Sequence, residues 1–168
     1  MWISQRRLCA GTGLGLVANS FAAVIGKWAK DIPEAIDAVF KNSAQRLTKE
    51  LQGELQRLVY DAPPSPSGYK RTGFLRASLV ASTEAMPQLI RDNPGVEVNT
   101  DAMGPVILVI NGWEGDQTLY LGYTARYGAM VHSGANGAAP RPWVTLVVQR
   151  WQQIVKEEAA KVKAAFGL

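Results

Sequence analysis

Cysteine and histidine are nearly missing from this chain of 168 residues: there is one of each, Cys9 and His132. A lone cysteine closes no internal disulfide, and a single Cys and a single His fall short of the ligand sets of structural zinc sites. Zinc fingers, disulfide scaffolds and cysteine-protease chemistry are therefore excluded together. Charge of one sign is also scarce, since 18 basic residues stand against 14 acidic ones for a net +4, too mild to demand a nucleic-acid partner. No apolar run approaches the length of about 20 residues that a membrane-spanning helix needs.

An apolar fraction of 47% and a charged fraction of 19% are ordinary for a globular chain and argue against disorder. The length suits one domain with one core. The charges are unevenly spread. Residues 61–140 carry five basic and seven acidic groups, whereas residues 141–168 carry five basic and two acidic, and residues 1–20 carry Arg6 and Arg7 alone. An acidic middle with basic ends suits a subunit that meets other proteins better than a uniform polyanion binder.

Residues 1–20 have the outline of a signal peptide, with Arg6 and Arg7 ahead of an apolar stretch and small residues up to Ser20, but three glycines interrupt that stretch. A flexible or partner-ordered arm is the expectation, followed by a single domain over 21–168. The run Gly11-Thr-Gly13-Leu-Gly15 lacks the preceding strand and the third glycine spacing of a dinucleotide-binding loop.

Phe21 to Lys30 shows helical spacing. Asp31 then offers an N-cap and Pro33 a first turn, so that a second helix is expected from Glu34 to Val59. Its stripe is Ile36, Phe40, Ala44, Leu47, Leu51, Leu55 and Leu58. The proline-rich stretch Asp61–Gly68 is a loop. Strands are expected at Leu79–Thr83, at Val106–Ile110, whose β-branched run fits a strand buried on both faces, and at Thr118–Tyr123, hairpinned to it through Asn111-Gly112. A further short strand at Val96–Val98 falls in the long excursion from Met86 to Pro105. Ala125–Val131 reads as a short helix and Pro142 as the start of a last one. The fold class is α+β: an antiparallel sheet of three to four strands flanked by a long N-terminal helix and a C-terminal helix.

Candidate chemistry is thin. His132 beside Ser133 would need the two side chains to face each other and a third group to orient them, and a surface or subunit-contact histidine is the better expectation. Asp92, Glu97 and Asp101 lack calcium-loop spacing, and Glu157 and Glu158 suit a solvated helix face. Trp113, in a turn, would signal a partner if exposed. No catalytic, cofactor-binding or metal-ligating residue is assigned, and no enzymatic activity is expected. A competing expectation is a nucleic-acid-binding module using Arg6, Arg7, Lys27, Lys30, Lys70 and Arg71 against phosphates.

Three segments, taken in order, resemble one family. Lys70 to Ser78, with Thr72, Gly73, Leu75, Arg76 and Ser78, resembles the T-G-x-L-R-x-S signature of the tail-completion (head–tail joining, or neck) proteins of long-tailed bacteriophages. Tyr123 to Gly134, with Tyr127, Gly128, Val131 and Gly134, is similar to the family's aromatic-Ala-x-Tyr-Ala-x-x-Val-Glu-x-Gly segment. Ala139 to Trp143, with Arg141, Pro142 and Trp143, is similar to its Ala-Arg-Pro-Phe. The likeness covers about residues 21–166; the usual Asp before Thr-Gly is Arg71 here, and the usual Glu is His132. The resemblance implies a structural virion subunit that forms a ring, taken as a hexamer, at the top of the tail. It would be assembled in the host bacterial cytoplasm. Its neighbours would be the tail terminator or tail tube on one side and the head–tail connector on the other, with DNA passing through the lumen and no cofactor or membrane. Within the first motif, Thr72 can cap a short turn and Leu75 and Leu79 point inward, which leaves Arg76 at the rim for a carboxylate or helix-end carbonyls.

Overall fold

The computed structural model describes residues 13–63, 70–99, 102–135 and 137–167. A single helix, α1 (Gly13–Leu55), about 65 Å long at the standard rise, runs into a π-helical turn, Gln56–Tyr60. The short helix α2 (Phe74–Ala77) and strand β1 (Leu79–Ser82) follow, then α3 (Met103–Asn111), β2 (Tyr120–Tyr123), α4 (Gly128–Ser133), α5 (Trp143–Val148) and α6 (Trp151–Phe166). α1 is the spine, with α6, α5 and α3 packed along it.

The expected break at Asp31–Pro33 does not occur: Pro33 lies inside α1. Residues 32–34 are exposed, so water can take the carbonyl that the proline leaves without a donor, and the ring has room. Of the expected arm, residues 13–20 are helical and open α1, while residues 1–12 lie outside the described residues. At the other end the π turn inserts an extra residue and rotates the stripe. Val59 takes the buried position after Leu55, and Leu58 is only partly buried.

The sheet is smaller than expected. Among the described residues it has two strands rather than three or four, β1 and β2, antiparallel with Leu79 opposite Tyr123 and Ser82 opposite Tyr120. Val106–Ile110 is helix, not strand, and so cannot hairpin with Thr118–Tyr123. Its burial explains why: Val106 and Ile110, four apart, are buried, while Leu108 between them is 73% exposed. Only one side of this segment has a core to face, which is a helical period, and Pro105 sits in the first turn where its missing N–H is no loss. Val96–Val98 forms no strand. The excursion is pinned instead by the Val98 N–H on the Thr72 carbonyl at 2.7 Å and by a bridge between Arg91 and Ala125.

Two core clusters result. One gathers Leu51, Leu55, Val59, Phe74, Leu75, Ala125, Trp143 and Val147; the other gathers Ala44, Leu79, Ala102, Val106 and Ile110. Trp113 is buried, stacked on Phe40 at 3.9 Å between ring centroids, with its indole N–H on the Gln117 carbonyl.

Candidate functional site

The end of a long helix leaves carbonyls without partners and carries the negative end of the helix dipole. Here two arginines from distant segments fill that role. Arg71 donates from Nη1 to the Tyr60 carbonyl at 2.7 Å and from Nη2 to the Pro63 carbonyl at 2.8 Å. Arg141 donates to the Val59 carbonyl at 3.2 Å and, more weakly, to that of Pro63 at 3.4 Å. Arg76 was expected at a carboxylate or at such carbonyls and meets an amide instead. Its guanidinium donates to Gln56 Oε1 at 3.0 Å and lies over the Tyr60 ring, and its backbone N–H donates to the Tyr60 hydroxyl. Gln52 in turn donates to the Arg76 carbonyl. Burial pushes the Tyr60 phenol above its ordinary range, so the ring stays neutral beneath the Arg76 guanidinium.

The remaining motif residues build the floor under these arginines. Leu75 is 1% exposed and Trp143 likewise, and both belong to the same core cluster as Leu55 and Val59 of the spine. Gly128 packs so closely that a Cβ there would sit 3.2 Å from Leu75 Cδ1. Val131 and Tyr127 pack against the same cluster, Tyr127 with its ring 6.3 Å from that of Phe74. Thr72 accepts the Phe74 N–H at 3.4 Å and donates to Asn93 Oδ1. Ser78 donates to the Leu75 carbonyl at 2.7 Å, and its own carbonyl accepts both the N–H and the hydroxyl of Thr124. Gly73 has φ +78°, and a Cβ there would run into the Val98 carbonyl; Gly134 has φ +80° and would meet Ala138 and Pro140. Both turns therefore need glycine. Pro142 caps α5.

His132 and Ser133 are each hydrogen-bonded away from the other. His132 Nε2 accepts the Thr145 N–H at 3.4 Å and lies edge-on to Trp143, while the Ser133 hydroxyl donates to the Ala129 carbonyl. The two neighbours do not form a nucleophile–base pair. Beside them an open hollow of about 390 Å³ is lined by Tyr123, Gly128, Ala129, His132, Ser133, Trp143 and Val144. The Tyr123 hydroxyl and the Trp143 indole N–H are buried without a standard hydrogen bond. Burial pushes the Tyr123 phenol well up, the adjoining Trp143 indole pulling the other way.

Glu157 and Glu158 are not on a merely solvated face. Arg46 of α1 reaches Glu157 at 2.6 Å and Glu158 at 3.1 Å, and Arg150 reaches Glu50 and Glu54. Glu158 is 7% exposed; Lys161, joined by Arg46, holds its carboxyl below the usual range against the cost of burial. These pairs clamp the C-terminal helices to the spine. The i, i+4 spacing of Arg46 and Glu50 was their sole trace in the sequence. Among the candidate phosphate contacts, Arg71 is spent on carbonyls, while Lys27 and Lys30 face Asp31 and Glu34 one turn on. Lys70 is exposed, and Arg6 and Arg7 lie outside the described residues. Asp92 pairs with Arg126 at 2.6 Å, and among the described residues no three His, Cys, Asp or Glu side chains cluster as a metal site requires; Asp101 lies outside them.

No protein-family model, no curated protein and no solved structure matches this chain.

Proposed function

We propose that this chain is a structural subunit of a tailed-bacteriophage virion, a tail-completion or neck protein that assembles as a ring at the head–tail junction. The observation that carries this reading is convergence. The segments 70–78, 123–134 and 139–143, which bear the family likeness and lie far apart in sequence, meet around one core at the end of α1 through Leu75, Ala125 and Trp143. Arginines from the first and third of them close the same helix end. Such a floor gives shape, not chemistry, and its rigidity suits a part that must present the same surfaces in every copy of a ring.

The surface supplies contacts of the right kind. Leu89 and Ile90 in the long excursion are 64% and 61% exposed, and apolar side chains grouped on an exposed loop mark protein contacts more than solvated edges. In this reading six copies close a ring whose faces meet the tail terminator or tail tube and the head–tail connector, with DNA crossing the lumen. The chain is made in the host cytoplasm and ends in the virion neck. Deleting the gene from the phage that carries it, with electron microscopy of the lysate, tests the proposal. Separate heads and tails, rejoined when the gene is supplied in trans, are expected; normal infectious particles would refute it.

A further inference from the structure

Between Val24 and Ile36, α1 has an apolar face that nothing among the described residues covers. Val24, Ile25, Trp28, Ile32 and Ile36 are 43% to 61% exposed. At helical spacing they fall on one side, with Lys27, Lys30 and Glu34 on the other. Toward the body the same face becomes one wall of a groove of about 650 Å³, which Ile36, Val39 and Phe40 share with Trp151, Val155 and Val162 of α6. An apolar ridge and an apolar groove thus lie end to end along one side of one helix.

We infer that the free chain pairs with a second copy through this face, the two α1 helices antiparallel across a two-fold axis near Ile32. A parallel partner in register would set ridge against ridge and leave both grooves empty. An antiparallel partner centred on Ile32 brings Trp28 of each copy to Ile36 of the other, Ile25 to Val39 and Val24 to Phe40, so each ridge enters the other's groove. One self-complementary contact then covers the whole face, the mark of a two-fold interface, and Lys27, Lys30 and Glu34 stay in water. The area is sufficient. With such side chains about half exposed, ridge and groove walls together remove on the order of 450 Å² of apolar surface per copy. Both copies lose about 900 Å², which at the apolar share of homodimer interfaces corresponds to a total of about 1,400 Å², within the range of stable specific pairs. The pairing does not depend on the head–tail proposal.

The test uses the full chain. Mass by light scattering at micromolar concentrations should give a dimer. In a Cys9→Ser background, Ile32→Cys should be linked copy to copy by a short bismaleimide, and Trp28→Cys mixed with Ile36→Cys should give the mixed product. Ile36→Glu, at an exposed position, should yield a monomer with unchanged far-ultraviolet circular dichroism. A monomeric parent would overturn the inference, as would a dimer that survives Ile36→Glu. A ladder of three or more linked copies without the Ile32–Ile32 product would replace it with head-to-tail docking.

Discussion

Replacing Gly73 by Ala perturbs the tightest point of the Thr72–Ser78 segment. An alanine held at φ +78° carries a left-handed strain of about 1–2 kcal/mol. Its Cβ also collides with the Val98 carbonyl. Relief requires the chain at Val98 to retreat and so to release its N–H from the Thr72 carbonyl, now at 2.7 Å, a loss of about 0.5–1.5 kcal/mol. The expected cost is about 1.5–3.5 kcal/mol. Gly95 is the control: its φ is +73° but no atom lies within 4 Å of its Cβ position, so Gly95→Ala should cost only the strain, about 1 kcal/mol in an exposed loop. The entropy that alanine removes from the unfolded chain is common to both variants and cancels in the comparison. Urea unfolding followed by circular dichroism, with unchanged m-values, gives the two costs. In Tm they correspond to about 3–14 °C and 2–4 °C. If Gly73→Ala proves no more costly than Gly95→Ala, the Val98 contact does not constrain the segment as argued.

Arg71→Ala and Arg141→Ala should each destabilise by about 1–2 kcal/mol through carbonyls left without charged donors. Because both reach Pro63, a double-mutant cycle by urea unfolding should show non-additivity. Trp143→Ala should cost about 3–5 kcal/mol, whereas Trp143→Phe should cost under about 1.5 kcal/mol, since the buried N–H it removes makes no standard hydrogen bond; calorimetry separates the two. The carboxyls of Glu54, Glu157 and Glu158 are held low in the folded chain. Their stabilisation is complete above the unfolded value of about 4.3 and is lost as the pH falls through their lower folded values. Tm should therefore drop below about pH 4.3, and Glu158→Gln should flatten that drop.

The spine and the C-terminal helical stretch were legible because their signals are local. The stripe Ala44, Leu51, Leu55 marks the spine, and Thr118–Tyr123 alternates as a strand. Val106–Ile110 was misleading because a β-branched run has the same composition in a strand as in a helix with one buried edge, and the deciding fact, that Leu108 faces water, belongs to the tertiary structure. Pro33 misled because the position tolerates a proline only while that stretch of α1 stays uncovered on its Pro33 side. The role of Arg71 and Arg141 could not be read at all. It depends on where Tyr60 and Pro63 end up in space, and no spacing between residues 71 and 141 encodes that. The clamp from Arg46 to Glu157 and Glu158 was hidden for the same reason, since a buried carboxylate and a solvated one look alike until their partners are placed.

The proposal above sets this chain at the junction between head and tail of a tailed phage. A cryo-electron-microscopy reconstruction of the neck of the intact phage tests it most directly. A closed ring of copies between the tail tube and the head connector is expected, each fitting the α1 spine with the Gly73 and Arg141 segments packed at its end. A fully interpreted neck with no density for this chain would contradict it.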